Sequence, residues 1–538
     1  MAAKRFVLSN NVSWANHGSD DSLDGKCGIK VVARGDLAHS DTVAKIPKSI
    51  VLSKRTSQLP IDSLNSNIAW DDMMELTLVL AFETLIGEKS KWFGYLQSLP
   101  SEQVPVAALW EGNDDSDSQT AFLWIQGTET EKVINPFGFS RSISQNIFKY
   151  FNEVASPILA TLGYQTSILN FRRAWSLVSS RSFRVDTYHG LAMVPIADAF
   201  NHTTENQVHM ETDFDVCPVC GALQSCPHDE EDEAPLGPGP TENAPPPLED
   251  TCDMVINAPV QAGDEVFNTY DANLPNSVLL ARYGFIIEGN EFDYIGWEPA
   301  SLPHNLQICT TARWDELARV WTSDLLDRTS LVCDPTELSA TLSSHASSDT
   351  HGGNAPRTPQ YKLNSDGLVS VDLWVLAAVC ALKATDASCL DTVLRSRLEQ
   401  LAAIQVHVEN GELTNPSTPQ VLQLRLVANL IQDMCRSRLL GMYKPELSVA
   451  ECGNLLDDLP DDMFCSRLAI CQALSERATL SACIDGWHSL MGCVDELGFS
   501  KDVVLMDSLG LGFEAEASGS VKWSPPLFFA LTAKGNEM

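Results

Sequence analysis

The chain has 538 residues, with 36 lysines and arginines against 71 aspartates and glutamates, so its formal net charge is 36 − 71 = −35. At about 150 residues per domain, this length predicts roughly two to four domains. A hydrophobic fraction of 44% with 20% charged residues is typical of globular proteins and excludes wholesale disorder. The apolar runs are shorter than the ~18 residues of a membrane span, so we expect no membrane association.

The negative net charge also limits the kinds of partner, because phosphate groups are repelled by a negatively charged surface. We therefore expect no direct contact with nucleic acid. The charge suits a basic protein partner, or it serves solubility alone.

The cysteines and the first residues bear on location. The start, MAAKRFVLSNNVSW, lacks the apolar core of a secretory signal. Fifteen cysteines in 538 residues are too sparse for a disulfide scaffold, and Cys380, Cys435 and Cys471 lie singly in apolar helical stretches. We therefore expect reduced thiols and a cytoplasmic or nuclear location.

In chain order, the first half of the chain mixes strand and helix patterns. Residues 28–54 are rich in β-branched residues between turns, which predicts strands. Residues 73–87 carry a helical apolar pattern that stops at Gly87, and residues 144–183 carry another that ends near Arg181. The apolar run 191–200 predicts a short buried strand that passes into a turn.

The second half begins with residues 263–270, which predict a turn and a strand, and 276–286, which predict a helix that ends at Tyr-Gly-Phe. Farther on, the pattern is mainly helical. The helical segments are 371–383, 419–443 and 462–478.

Two segments interrupt these patterns. Residues 229–250 contain eight acidic residues, six prolines and no basic residue, so they predict a disordered excursion. Residues 341–360 are rich in Ser, Thr, Gly and Pro and predict a flexible loop.

A possible metal site precedes the acidic segment. Cys217-Pro-Val-Cys220 has the spacing with which two thiolates bind one ion, and Cys226 with His228 would complete a tetrahedral zinc site. The ligands occupy only twelve residues, which is tighter than most structural sites, so a thiol-rich loop without metal stays the alternative. If zinc binds, we expect one structural ion at the base of the excursion.

Three motifs stand out along the chain. They are Gly28-Ile29-Lys30 at the start of a strand, VPIADAFNH at 194–202, and Tyr270 followed by Arg282-Tyr283-Gly284-Phe285. Each alone is a weak signal. Asp198 is the exception, because a carboxylate inside an apolar run is costly to bury without partners. We expect the neighbouring Asn201-His202 pair to supply donors to it.

Together, these motifs resemble the SET-domain protein methyltransferases, and among them the group of the Rubisco large-subunit methyltransferase. The matching segments are EKSKWFGYLQSLP, PIADAFNH and EVFNTY followed by NSVLLARYGF. The resemblance implies an α+β fold, with a split SET domain of short strands over 1–295 and helices inserted at about 65–175. An all-α substrate-binding domain would follow over 296–538, and the protein would be monomeric.

The resemblance also implies S-adenosylmethionine as the methyl donor and gives roles to matching positions. Tyr270 matches the active-site tyrosine. Ser180 and Asp198 match substrate-site positions. The positions that match donor contacts are Gly28, Ile29, Lys30, Arg181, Asn201, His202 and Tyr283. The packing of the Asn-His and Tyr-Gly-Phe segments in this family is threaded, which is an exception to the rule against knots.

The chemistry of lysine methylation explains such a site. A lysine with a pKa of about 10.4 is neutral in only about one in 2500 molecules at pH 7. A narrow channel with little water disfavours the ammonium and so favours the nucleophilic amine. Tyr270 would then guide the amine by hydrogen bonding and need not be the base.

One residue departs from the family pattern. The family has Gly-x-Gly where this chain has Gly28-Ile29-Lys30, and the second glycine allows close backbone approach to the donor. Lys30 would either crowd the donor or point outward.

The sequence therefore predicts a protein-lysine N-methyltransferase with a non-histone substrate, ribosomal or related to translation. A protein-histidine methyltransferase is a close alternative, and a catalytically inactive SET-like module that binds a partner is another. A zinc-dependent interaction protein would use only the cysteine cluster.

Overall fold

The fold was analysed in a computed structural model of the chain. The structure describes residues 7–9, 11–16, 29–60, 70–136, 142–224, 226–229, 250–303, 306, 361–385, 396–398, 400–405 and 418–496. Gly28, the flexible loop predicted at 341–360 and residues 230–249 of the predicted acidic excursion lie outside these residues.

The strands are short, and the pairs that they form in the described part of the chain are all antiparallel. They are β1 (Val7–Leu8), β2 (Val12–Asn16), β3 (Ile29–Ala33), β4 (Thr42–Pro47), β5 (Ser182–Arg184), β6 (Leu191–Met193), β7 (Val208–Thr212), β8 (Thr251–Ile256), β9 (Tyr294–Trp297) and β10 (Tyr361–Asn364). One sheet has the order β1-β4-β8-β7, and the strands β2 with β3, β5 with β6, and β9 with β10 form separate pairs.

The helices are concentrated in two stretches of the chain. They are α1 (Asp72–Ile86), α2 (Phe93–Ser98), α3 (Ser116–Trp124), α4 (Glu129–Ile134), α5 (Ile143–Tyr150), α6 (Ser156–Thr161), α7 (Ile168–Arg181), α8 (Asn276–Arg282), α9 (Val371–Thr385), α10 (Thr418–Leu440), α11 (Val449–Asp457) and α12 (Phe464–Glu496). Among the described residues, no helix is both long enough and apolar enough to span a bilayer.

The chain divides into two compact units. The first comprises Met1–Ile125, Thr130–Glu288 and Leu459–Ile470, and the second comprises Gln126–Glu129, Gly289–Asp458 and Cys471–Met538. All candidate site residues belong to the first unit.

The core of the first unit lies between the short strands. Alternate residues of β3, Val31 and Ala33, are buried together with Val43 and Ile46 of β4 and Met254 of β8. Such alternation follows from the pleat of a strand, which points successive side chains to opposite faces. The apolar run 191–200 adds buried residues to the same cluster.

Helix α1 packs against α7 in this unit. It begins at Asp71, whose carboxylate accepts a hydrogen bond from the Met74 amide, and it ends at Gly87, which adopts a φ of 58°. An N-cap aspartate accepts a hydrogen bond from a free amide of the first turn, and a glycine after the last turn can adopt the positive φ that ends a helix. The predicted helix at 73–87 is therefore confirmed.

Two sequence predictions differ from the structure. The helical pattern at 144–183 is divided among α5, α6 and α7, with a π-helical turn at Phe151–Ala155 and Gly163 at a φ of 85° between α6 and α7. The predicted strand within 263–270 is wrong. Glu265 and Asn268 instead form isolated bridges to different partners.

The second unit contains β9 and β10 and most of the C-terminal helices. Helix α9 packs against α10, and Leu373 and Leu376 of α9 are buried with Met434 of α10 and Tyr361 of β10. The predicted helices at 371–383 and 419–443 are confirmed, while the segment predicted at 462–478 extends to Glu496.

Candidate active site

An aromatic cluster in the first unit joins the second and third motifs. The Tyr270 and Tyr283 rings are stacked, with centroids 4.8 Å apart. The His202 ring lies 5.1 Å from Tyr270 and 5.9 Å from Phe285. Three residues that are far apart in sequence, His202, Tyr270 and Tyr283, are thus brought to one place.

The backbone holds the Asn-His segment beside the tyrosine segment. His202 and Asn268 form a parallel bridge, and the Asn268 amide donates to the Asn201 carbonyl at 2.8 Å. The Tyr270 amide donates to Nδ1 of His202 at 3.0 Å. The imidazole therefore positions Tyr270 through its main chain.

The His202 ring is electrically neutral. Its residue is 9% exposed, and burial lowers its pKa from 6.5 to about 4. Because Nδ1 accepts a hydrogen bond, the neutral ring carries its proton on Nε2. That atom is buried and has no hydrogen-bond partner among the described residues.

The two stacked tyrosines are also neutral near pH 7. Burial raises the pKa of Tyr270 to about 12 and the pKa of Tyr283 to about 12. The nearby Arg181 guanidinium opposes this effect at Tyr270 without outweighing it. The hydroxyl of Tyr270 is thus a hydrogen-bonding group and not a phenolate base.

The Asn201 side chain is hydrogen-bonded to a residue that lies beside strand β3. Its amide Nδ2 donates to Oε1 of Glu265 at 2.7 Å. Glu265 bridges to Val32 of β3, and the next residue, Val266, donates its amide to the Val31 carbonyl at 2.8 Å. Strand β3 and the Asn-His segment are therefore neighbours.

The side chain of Asp198 is buried, and its partners differ from the predicted ones. Its side chain is 6% exposed, its Oδ2 accepts a hydrogen bond of 2.8 Å from the Tyr95 hydroxyl, and Nη1 of Arg181 lies 3.8 Å from the same oxygen. The expectation that Asn201 and His202 supply these donors was wrong. Burial raises the pKa of Asp198, although Arg181 and Tyr95 partly oppose it.

The backbone before Asp198 is strained. Ile196 has a φ of 80° and a ψ of −45°, which is rare for a β-branched residue. Strain of this kind costs of order 1–3 kcal/mol and is concentrated at functional sites. It accompanies the turn that carries the chain from β6 to Asn201.

The other residues predicted to contact donor or substrate lie on α7 and β3. Arg181 ends α7 and donates through Nη1 to the Asp198 carbonyl at 2.9 Å, while its buried Nε has no hydrogen-bond partner in the described part of the chain. The Ser180 hydroxyl donates to the Ser176 carbonyl of its own helix. Ile29 is 37% exposed at the start of β3, and Lys30, which is half-buried, pairs with Ala15 of β2.

Tyr95 and Glu265 received no role from the sequence. Both lie inside motifs that carry the resemblance, KWFGYLQSLP and EVFNTY, so their presence was visible but their contacts were not.

The predicted zinc ligands come together at another place in the first unit. The ligand atoms of Cys217, Cys220, Cys226 and His228 all lie within 4.8 Å of one another.

Comparison with curated proteins gives several relatives at low identity. The chain is 25% identical over 353 residues to ribosomal lysine N-methyltransferase 3 of Saccharomyces cerevisiae, which covers 55% of the chain and 63% of that protein. It is 24% identical over 280 residues to the N-lysine methyltransferase setd6 of Xenopus tropicalis, covering 47% and 50%. It thus spans less than two thirds of these two relatives.

A third relative is matched over more of the chain. The Rubisco large-subunit N-methyltransferase of Nicotiana tabacum is 21% identical over 515 residues, covering 93% of the chain and 83% of that protein. No protein-family model matches the chain.

Solved structures show the fold. A crystal structure described as the SET domain of LSMT bound to lysine and AdoHcy superposes with a TM-score of 0.53 at 17% identity, covering 94% of this chain and 93% of that one. A structure of Rubisco LSMT bound to AdoMet gives a TM-score of 0.51 with the same coverage. The predicted α+β class and the resemblance are confirmed: the chain has the SET-domain fold of the Rubisco large-subunit methyltransferase.

Proposed function

We propose that this protein is an S-adenosylmethionine-dependent protein-lysine N-methyltransferase. The observation that carries the proposal is the neutral aromatic cluster of Tyr270, Tyr283 and His202, held by the hydrogen bond from the Tyr270 amide to His202. The relatives named as lysine methyltransferases support the same activity.

The residues of the site fit a polar donor molecule. Nε2 of His202 and Nε of Arg181 are both buried N–H donors without a hydrogen-bond partner in the described residues. Leaving such donors unsatisfied is costly, so a ligand with acceptor atoms is favoured there. Asn201, His202, Arg181 and Tyr283 would hold the donor, together with the start of β3.

When bound, S-adenosylmethionine supplies an electrophilic methyl group on a positively charged sulfur. The residues of the chain prepare the acceptor. Because the cluster is buried and uncharged, it disfavours an ammonium and lowers the pKa of an entering lysine. The entering lysine would lose its proton to solvent and so present a neutral amine as the methyl acceptor.

Tyr270 would orient the acceptor in this step. Its hydroxyl keeps its proton near neutral pH, so it can donate to or accept from the amine without taking a charge. Correct orientation of two reactants can contribute several kcal/mol to a barrier. Asp198, fixed by Tyr95 and Arg181, would face the substrate side.

A basic, non-histone protein is the proposed substrate. A net charge of −35 attracts basic chains, and the relative from Saccharomyces cerevisiae is named a ribosomal lysine N-methyltransferase. A ribosomal or translation-related protein in the cytoplasm or nucleus fits both points. We propose a monomer that makes no direct contact with nucleic acid or membrane.

Calorimetric titration of the purified protein with S-adenosylhomocysteine tests the donor site. We expect one site with micromolar affinity. Lys30→Gly is the matched variant, and we expect an affinity within about threefold of wild type, because a half-buried lysine can extend its charged end to water. A folded wild-type protein that binds nothing would favour the inactive partner-binding module.

Methyl transfer to whole basic protein fractions then tests the acceptor. We expect mass spectrometry of the labelled protein to place the methyl group on lysine. A methyl group found on histidine would overturn the lysine assignment in favour of the histidine alternative.

A further inference from the structure

The segment between β7 and β8 brings three thiols and one imidazole together at the surface of the first unit. Sγ of Cys217 lies 3.8 Å from Nδ1 of His228, and Sγ of Cys226 lies 3.6 Å from the same nitrogen. In a tetrahedral zinc site, sulfur and nitrogen ligands bound at about 2.3 and 2.0 Å lie roughly 3.6 Å apart. With Cys220 in the same cluster, the spacing is that of a single coordination shell.

The backbone from Cys217 to Ala222 forms a tight turn. The Gly221 amide donates to the Cys217 carbonyl at 2.7 Å, and the Cys217 amide donates to the Ala222 carbonyl at 2.9 Å. This arrangement places Cys217 and Cys220 side by side, as two ligands of one ion require.

Apolar packing does not account for the cluster. Cys220 and His228 are exposed, and Val219, between the first two cysteines, is 59% exposed. A small surface segment without its own core needs a disulfide or a metal to hold one conformation. An imidazole that converges with three thiols fits a metal better than a disulfide.

We propose that Cys217, Cys220, Cys226 and His228 bind one structural Zn²⁺ ion that fixes residues 213–224 and 226–229. Three sulfur ligands and one nitrogen ligand favour zinc among the common divalent ions, and four protein ligands leave no open position for catalysis. Each thiol that binds loses its proton to solvent.

The site is attached to a turn that leads to the candidate active site. The Thr187 hydroxyl donates to the Val216 carbonyl at 2.6 Å, and the Thr187 amide donates to the Phe214 carbonyl at 3.2 Å. Gly221 lies against the Tyr188 ring, where a Cβ atom would be 2.7 Å from the nearest ring carbon.

The same turn is anchored in the protein interior. Asp186 pairs with Lys48 at 2.9 Å and with His189 at 2.9 Å, and all three are buried. The chain then enters β6 and continues to Asp198. The ion would therefore join the start of the acidic segment to the turn that precedes β6.

Metal analysis of the full-length protein, purified without chelators, tests the proposal. We expect about one zinc per chain in the wild type. Cys220→Ser and His228→Asn should each lose at least about nine tenths of it. Cys493→Ser, at an exposed cysteine outside the cluster, is the matched control and should retain it.

Cobalt substitution of the wild-type protein tests the ligand set without a mutation. After zinc is removed with a chelator, we expect added Co²⁺ to give sulfur-to-metal charge-transfer bands and the intense visible bands of tetrahedral cobalt. Zinc below about a tenth of an equivalent together with no such spectrum would overturn the proposal, as would stoichiometric iron in place of zinc. Because neither measurement depends on methyl transfer, the result is independent of the proposed enzyme activity.

Discussion

Removal of the Tyr270 hydroxyl should lower turnover without weakening donor binding. In Tyr270→Phe the ring stacked on Tyr283 is kept, as is the amide that contacts His202, so only the hydroxyl is lost. We expect turnover to fall by about 100-fold, the typical loss for one preorganised hydrogen-bonding group, with S-adenosylhomocysteine affinity nearly unchanged. Methyl incorporation and calorimetry on the same preparations measure the two effects.

Tyr164→Phe is the control for this substitution, because Tyr164 packs on Phe82 away from the aromatic cluster. It should leave both quantities unchanged. Undiminished turnover in Tyr270→Phe would show that the hydroxyl does not guide the acceptor.

The neutral state of His202 predicts a loss of stability in acid. Its folded pKa is about 4, compared with 6.5 in the unfolded chain, so below pH 6.5 the unfolded state binds a proton that the folded state refuses. Stability from this residue is present above pH 6.5 and is lost as the pH falls to about 4. The difference amounts to about 3 kcal/mol at most.

His202→Asn should remove most of this dependence, because the asparagine oxygen can accept from the Tyr270 amide but does not titrate. Denaturant unfolding at several values between pH 4 and 7 gives the comparison. His39→Asn, at an exposed histidine, should follow the wild type. Parallel curves for His202→Asn and the wild type would show that His202 titrates normally.

Individual site residues were predictable only in part. The order of the motifs identified His202, Tyr270 and Tyr283, which the structure places in one cluster. The partners of Asp198 were not predictable, because Tyr95 lies 103 positions away and no local pattern encodes that contact. Adjacency in sequence favoured Asn201 and His202, but the turn at Ile196 leaves Tyr95 and Arg181 as its contacts.

At the scale of elements, Gly221 places the turn that carries Cys217 and Cys220 against the Tyr188 ring. Gly221 has a φ of 72°, and a Cβ atom there would overlap the Tyr188 ring. Gly221→Ala should therefore destabilise the segment through both backbone strain and steric overlap. We expect zinc release to a colorimetric chelator to become at least about tenfold faster, which corresponds to about 1.4 kcal/mol.

Gly263→Ala is the matched control, because Gly263 has a φ of 97° but an added Cβ atom there would meet open space. It imposes comparable backbone strain, of about 1–2 kcal/mol, without the overlap. Zinc release at the wild-type rate in both variants would show that contact with Tyr188 does not support the site.

Element prediction succeeded where the local signals were strong. Helix α1 has an aspartate cap and a glycine stop, and both ends are placed by these residues. The segment 263–270 shows the opposite case. It contains β-forming residues, but Glu265 bridges to β3 while Asn268 bridges to the Asn-His and β7 segments, so no continuous ladder forms. Such pairing depends on tertiary contacts and not on local propensity.

For the whole molecule, the net charge of −35 predicts that acceptor binding depends on salt. Attraction between an acidic enzyme and a basic protein acts over the Debye length, which shortens from about 10 Å at ~0.1 M salt to about 3 Å at ~1 M. Across that range, we expect kcat/KM for a basic protein fraction to fall by about tenfold, mainly through KM. The reaction rate at saturating acceptor should change much less.

Affinity for S-adenosylhomocysteine in the same buffers is the control, because the groups proposed to hold it, such as Nε2 of His202 and Nε of Arg181, are buried and salt screens such contacts little. It should change by less than about twofold. A kcat/KM that is independent of salt, with donor affinity unchanged, would mean that the excess of 71 acidic over 36 basic residues serves solubility and does not select the substrate. Salt dependence of the acceptor alone would instead assign that charge a part in choosing which proteins reach the aromatic cluster.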